Sequence, residues 1–225
     1  MVNILLERYM IDAPWLYTEL KGYFGGSDRV PVVPFSFRDS RVKNAADWDA
    51  HYGRVHGKFY PGIVDSWKSY GIDGEQIEFL NYFADTKESA RKKLARADIL
   101  YFIGGLPDRM YERLAEFDLL APLADFRGVV IGYSAGAAIQ LSEYHLSPDD
   151  DYPAFTYGNG IGYIGDFYLQ VHYTGSEVQR ESVERVLRER RKPVYAMREH
   201  GAIVVENGIV RTIGAVERFD PNEIL

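Results

Sequence analysis

Short β-branched and aromatic runs alternate with amphipathic stretches along the 225-residue chain. NILL (3–6) reads as a first strand. A helix over 13–24 follows, with Pro14 in its first turn, where an amide would have no intrahelical partner. VPVVPFSF (30–37) is extended, and its two prolines put it near a sheet edge or at strand ends. Residues 45–70 read as largely helical with a break near Pro61-Gly62. QIEFLNYF (76–83) is a strand, and Asp85 starts the next helix with Glu88 as its capping-box partner. DILYFIGG (98–105) has the continuous apolar character of a buried strand, and a helix begins around Pro107. GVVIGY (128–133) is the next strand, with Ser134 opening the helix after it. FYLQVHY (167–173) alternates like a strand and delivers His172 to the sheet's C-terminal rim, and 177–190 is helical. Residues 193–214 read as short antiparallel strands around an ENG turn at 206–208. Together these predict one α/β domain over 1–225: three layers, a mostly parallel central sheet with helices on both faces, and a short antiparallel C-terminal hairpin.

Composition narrows the function classes. With 46% hydrophobic residues the chain can bury a substantial core. A net charge of -7 and a pI near 5.3 argue against a nucleic-acid-binding surface. The basic run RERRK (188–192) fits a solvated helix end, where positive charge meets the negative end of the dipole. The absence of cysteine excludes disulfides, thiol nucleophiles and thiolate-bound metals, and is compatible with a reducing cytoplasm. The apolar run at the N-terminus is too short for a signal-peptide core, and no run reaches the ~18 residues of a membrane span. The expectation is a cytoplasmic protein with neither membrane nor nucleic-acid partners, no metal and no cofactor.

The chemistry centres on GYSAG (132–136), a G-x-S-x-G pattern between a strand and an alanine-rich helix start. Such a turn projects the serine hydroxyl above the sheet edge, and the amide after it points to the same place. Ser134 is the candidate nucleophile. Of the five histidines, His172 at the end of a strand is the candidate base. His51, His56, His145 and His200 read as packing or surface residues. Asp149, Asp150 and Asp151, in SPDDDYP between Ser134 and His172, offer a carboxylate to orient the imidazole, with the others left in a solvated turn. Gly104-Gly105, directly after a strand, either supply a second oxyanion amide or simply make the strand–helix turn.

YFIGGLPDRM, then GVVIGYSAGA, then FYLQVHY resembles the aspartyl dipeptidase (peptidase E) and cyanophycinase family of serine peptidases, which share the class I glutamine amidotransferase fold. The resemblance covers about 76–190. It implies hydrolysis of a small peptide or amide, with Asp-X dipeptides as one substrate class, through an acyl-enzyme. It also implies Ser134 as nucleophile, His172 as base and Asp149, with Asp150 close behind, as the acid. Gly105 and Ala135 would supply the oxyanion amides, and Arg180 is the nearest match for the arginine that reads the substrate's aspartate. Two departures stand out. The family's Gly-Gly-Gly-Asn is GGLP here, and the aromatic-rich segment 48–70 has no counterpart, so it either fills the core or lines a different substrate pocket. The competing readings are an acyl hydrolase of other specificity and a catalytically silent ligand-binding protein on the same fold.

Overall fold

The computed structural model describes residues 1–223, so the last two positions of the domain expected over 1–225 lie outside the described residues. Five apolar runs become parallel strands: β1 (Val2–Leu6), β2 (Val30–Val33), β3 (Ile77–Phe79), β4 (Ile99–Phe102) and β5 (Val129–Tyr133), ordered β1-β5-β4-β2-β3. Alternate residues of these strands feed opposite faces, as the two-residue period of a strand requires. Ile99 and Tyr101 join one core with Leu16, Trp48 and Trp67, while Leu100 and Phe102 join the other with Leu94, Met110 and Leu114.

The first face is covered by α1 (Pro14–Leu20), α2 (Ala45–Tyr52) and α3 (Tyr60–Lys68). The second is covered by α4 (Lys87–Leu94), α5 (Pro107–Glu116) and α6 (Leu120–Ala124). The helical segment expected over 45–70 breaks at 53–59 rather than at Pro61, which sits harmlessly in the first turn of α3. The cap of α4 also differs: Thr86 and Ser89 bond reciprocally, side chain to backbone, and Asp85 stands one residue outside.

Beyond the short α7 (Ala135–Ala138), a two-stranded antiparallel sheet forms from β6 (Glu143–Leu146) and β7 (Thr156–Asn159). β8 (Tyr168–Gln170) follows, shorter than the strand expected over 167–173, and then α8 (Glu177–Arg190), which matches its expected bounds to the residue. The C-terminal hairpin, β9 (Val194–Glu206) and β10 (Ile209–Phe219), is longer than expected and joins the main sheet. Its turn places Asn207 and Gly208 at positive φ (51° and 79°), the geometry a two-residue turn between twisted strands favours.

β9 has a decisive effect on the site. One of its edges pairs with β10; the other carries β8 on 194–196, parallel, and β1 on 202–206, antiparallel. β1 and β8 therefore run towards each other along one edge, and their C-terminal ends converge opposite residues 197–201 of β9. His172 does reach the rim, but from a strand running against the parallel set rather than with it. Among the described residues, no helix is long and apolar enough to cross a membrane.

Candidate active site

Ser134 sits between β5 and α7 with φ 52° and ψ −116°, a strained conformation for a residue with a side chain. The flanking glycines permit it. A Cβ on Gly132 would collide with the Gly136 carbonyl, and one on Gly136 with the Phe102 carbonyl, so strand and helix touch backbone to backbone. The Ser134 amide donates to the Leu6 carbonyl (3.0 Å), which anchors the turn to the end of β1.

His172 follows β8, also at positive φ (52°). Its Nε2 lies 2.9 Å from the Ser134 hydroxyl and its Nδ1 2.6 Å from Oε1 of Glu7. A carboxylate only accepts, so Nδ1–H donates to Glu7 and Nε2 is left to accept from Ser134. Glu7 is 3% exposed. Its amide donates to the Gly201 carbonyl (3.2 Å), and its carboxylate also accepts from Arg8 Nε (3.1 Å). This follows directly from the convergence of β1 and β8: Glu7 is the first residue past β1, and His172 the second past β8.

The acid expected at Asp149 or Asp150 is therefore not what meets the imidazole. Asp149 turns its carboxylate back onto the amides of Asp151 and Tyr152 (both 2.8 Å), closing its own loop. Asp150 is exposed. Asp151 forms a bidentate pair with Arg38, which holds its carboxyl below the usual range. Glu7 escapes a reading of the sequence because it lies 165 positions from His172, at the end of a short apolar run. A carboxylate directly after a buried strand was the available signal.

Arg180 is exposed at the start of α8 and bonds the Gly175 carbonyl. The α8 residue that lines the cavity holding Ser134 and His172 is Gln179, whose Nε2 donates to the His172 carbonyl (2.9 Å). Gly105 and Ala135 both line that cavity, about 390 Å³ in volume. Gly105 adopts φ 142°, open to glycine alone, and a Cβ there would strike the Ser36 carbonyl. Ala135 opens α7, where an amide has no intrahelical partner. His145, also on the wall, is buried, and burial lowers its pKa to about 4, partly opposed by its 2.9 Å bond to Gln170. Burial likewise pushes Tyr133, next to the serine, up to about 12.

The chain is similar to known peptidases in sequence and in fold. The model of peptidase family S51 matches residues 63–213. A solved structure from Listeria monocytogenes EGD-e, described as a peptidase E protein, superimposes with TM-score 0.65 at 19% identity, covering 95% of this chain and 98% of that one. A peptidase from an acI-B1 Actinobacterium gives TM-score 0.56 at 15% identity, covering 97% and 93%. No curated protein matches.

Proposed function

The chain belongs to peptidase family S51 and is a serine-type peptidase, and on that premise we propose that Ser134, His172 and Glu7 form its catalytic triad. The observation that carries the reading is the unbroken relay from the Ser134 hydroxyl through the imidazole to a buried carboxylate, at 2.9 and 2.6 Å. Oγ attacks the scissile carbonyl carbon while His172 Nε2 takes the hydroxyl proton. The amides of Gly105 and Ala135 hold the oxyanion as the carbon becomes tetrahedral. Collapse breaks the C–N bond, and the proton passes from Nε2 to the departing amine. Water then repeats the sequence against the acyl-enzyme, releasing the acid and restoring Ser134. Glu7 keeps Nδ1 protonated and stabilises the imidazolium that forms between the two transfers.

The substrate is a small peptide or amide, since the cavity beside the serine is modest in volume. Arg180 gives no support for selecting an N-terminal aspartate, because its guanidinium is engaged at the surface. The silent-protein alternative loses ground to the 2.9 Å serine–imidazole contact. A fluorophosphonate probe, which reacts only with an activated serine, tests the reading: Ser134 should be its modified residue in folded protein, and Ser134→Ala or His172→Ala should abolish labelling. Labelling that survives Ser134→Ala would refute it.

A further inference from the structure

Next to the cavity that holds Ser134 and His172 lies a larger one, about 720 Å³, and Arg38 and Gly105 line both. The larger one reaches Gly104 and Tyr133, immediately beside the nucleophile, but not His172. That division assigns the two ends of the substrate. The imidazole must deliver its proton to the leaving amine, so the amine sits on the His172 side. The acyl group then extends past Gly104-Gly105 into the larger cavity.

We propose that this cavity is the acyl-group pocket and that it selects an acyl group bearing both an aromatic ring and a carboxylate, larger than one aspartyl residue. The proposal rests on the triad reading above. Three observations support it. The volume lies well within the ~300–1,000 Å³ range that encloses drug-sized ligands, far more than an aspartyl side chain fills. The wall presents rings from Tyr9, Phe37, Tyr52, Phe59 and Tyr133, and Tyr9 and Phe59 are exposed at 53% and 41%. Exposed rings in a concave site offer stacking surface to a planar group.

Charge supplies the third observation. The chain carries a net -7, yet this cavity has Arg38, Arg41 and Lys58 in its lining and no Asp or Glu. Arg38 is committed to Asp151, but among the described residues neither Arg41 nor Lys58 forms a salt bridge. Lys58 Nζ sits 5.3 Å from the Phe59 ring centroid, and both residues line the cavity. Much of the wall comes from residues before position 63, where the family match begins, so the pocket is largely built by the part of the chain that match leaves out.

The test compares two substrates sharing one leaving group, N-succinyl-L-phenylalanine 4-nitroanilide and L-aspartate 4-nitroanilide. The succinyl-phenylalanyl substrate should have at least a tenfold higher kcat/KM. Gly62 lines the cavity, and a Cβ there meets no atom within 4 Å, so Gly62→Trp can grow into open space. It should lower the ratio of the two kcat/KM values at least tenfold, and Arg41→Met with Lys58→Met should lower it as well. A wild-type ratio at or below one, or a ratio that none of these changes moves, overturns the proposal. Binding of N-succinyl-L-phenylalanine to Ser134→Ala protein, followed by calorimetry, separates the two readings. Binding that Gly62→Trp abolishes, in a protein whose Ser134 resists the fluorophosphonate, keeps the pocket and removes the triad reading. Labelling of Ser134 without the acyl preference keeps the triad and removes the pocket. Absence of both binding and labelling overturns both.

Discussion

Ser36 is fully buried although polar, and its bonds explain why. Its hydroxyl lies 2.6 Å from the Gly104 carbonyl and 3.2 Å from that of Ile103. In a trans peptide the N–H points opposite to the C=O, so holding the Gly104 oxygen fixes the direction of the Gly105 amide. Ser36 is thus a positioning residue for one of the two proposed oxyanion donors. Removing such a donor outright costs about 10²–10³ in kcat, and loosening one costs less. Ser36→Ala should lower kcat about tenfold with KM within about threefold of wild type. A variant that raised KM and spared kcat would place Ser36 in substrate binding instead. At this scale the meeting of Ser134 and His172 is legible in the sequence, because an elbow and a strand end are local patterns. The contacts of Asp149 are not: its carboxylate bonds to its own loop, and nothing local in SPDDDYP announces that.

Among the elements, α8 and the parallel strands lie within their predicted runs, since these patterns record burial directly, although β2 and β3 stop well short of the expected 37 and 83. The direction of β8 was not legible. Three residues with a strand-like alternation look the same whichever way they run, and only pairing with β9 decides. The β6–β7 pair was equally hidden, and it brings His145 of β6 against Gln170 of β8. His145 Nδ1 is buried with no hydrogen-bond partner among the described residues, so burial disfavours the imidazolium there. In the unfolded chain this imidazole takes a proton near pH 6.5, whereas in the folded chain it resists until about pH 4. Between those values the unfolded state binds the extra proton, so stability falls as pH falls. From pH 7 to pH 5 this group alone should remove about 2 kcal/mol. His145→Gln, which cannot titrate, should show a loss smaller by about that amount in urea melts at the two pH values. Equal losses in the two proteins would contradict the assignment.

Over the whole molecule, the proposed triad gathers residues 7, 134 and 172 from three separate strand ends, and Glu7 and His172 are 165 positions apart in sequence. What joins them is the long β9, whose single edge seats β1 and β8 end to end. No spacing rule within the chain encodes that meeting, so a search for an acid between the serine and the histidine could not find it. The family match begins at residue 63 and so also leaves Glu7 outside. In the proposed triad Glu7, not Asp149, orients His172. The most direct measurement of that role is the second-order rate at which a fluorophosphonate labels Ser134 in wild type, Glu7→Gln and Asp149→Asn, which needs no knowledge of the natural substrate. A neutral amide at position 7 can stabilise the wrong imidazole tautomer, a change that costs about 10⁴ in kcat in a serine protease. Glu7→Gln should therefore slow labelling at least 100-fold while Asp149→Asn stays within about threefold of wild type. Labelling that collapses in Asp149→Asn and persists in Glu7→Gln would contradict the account.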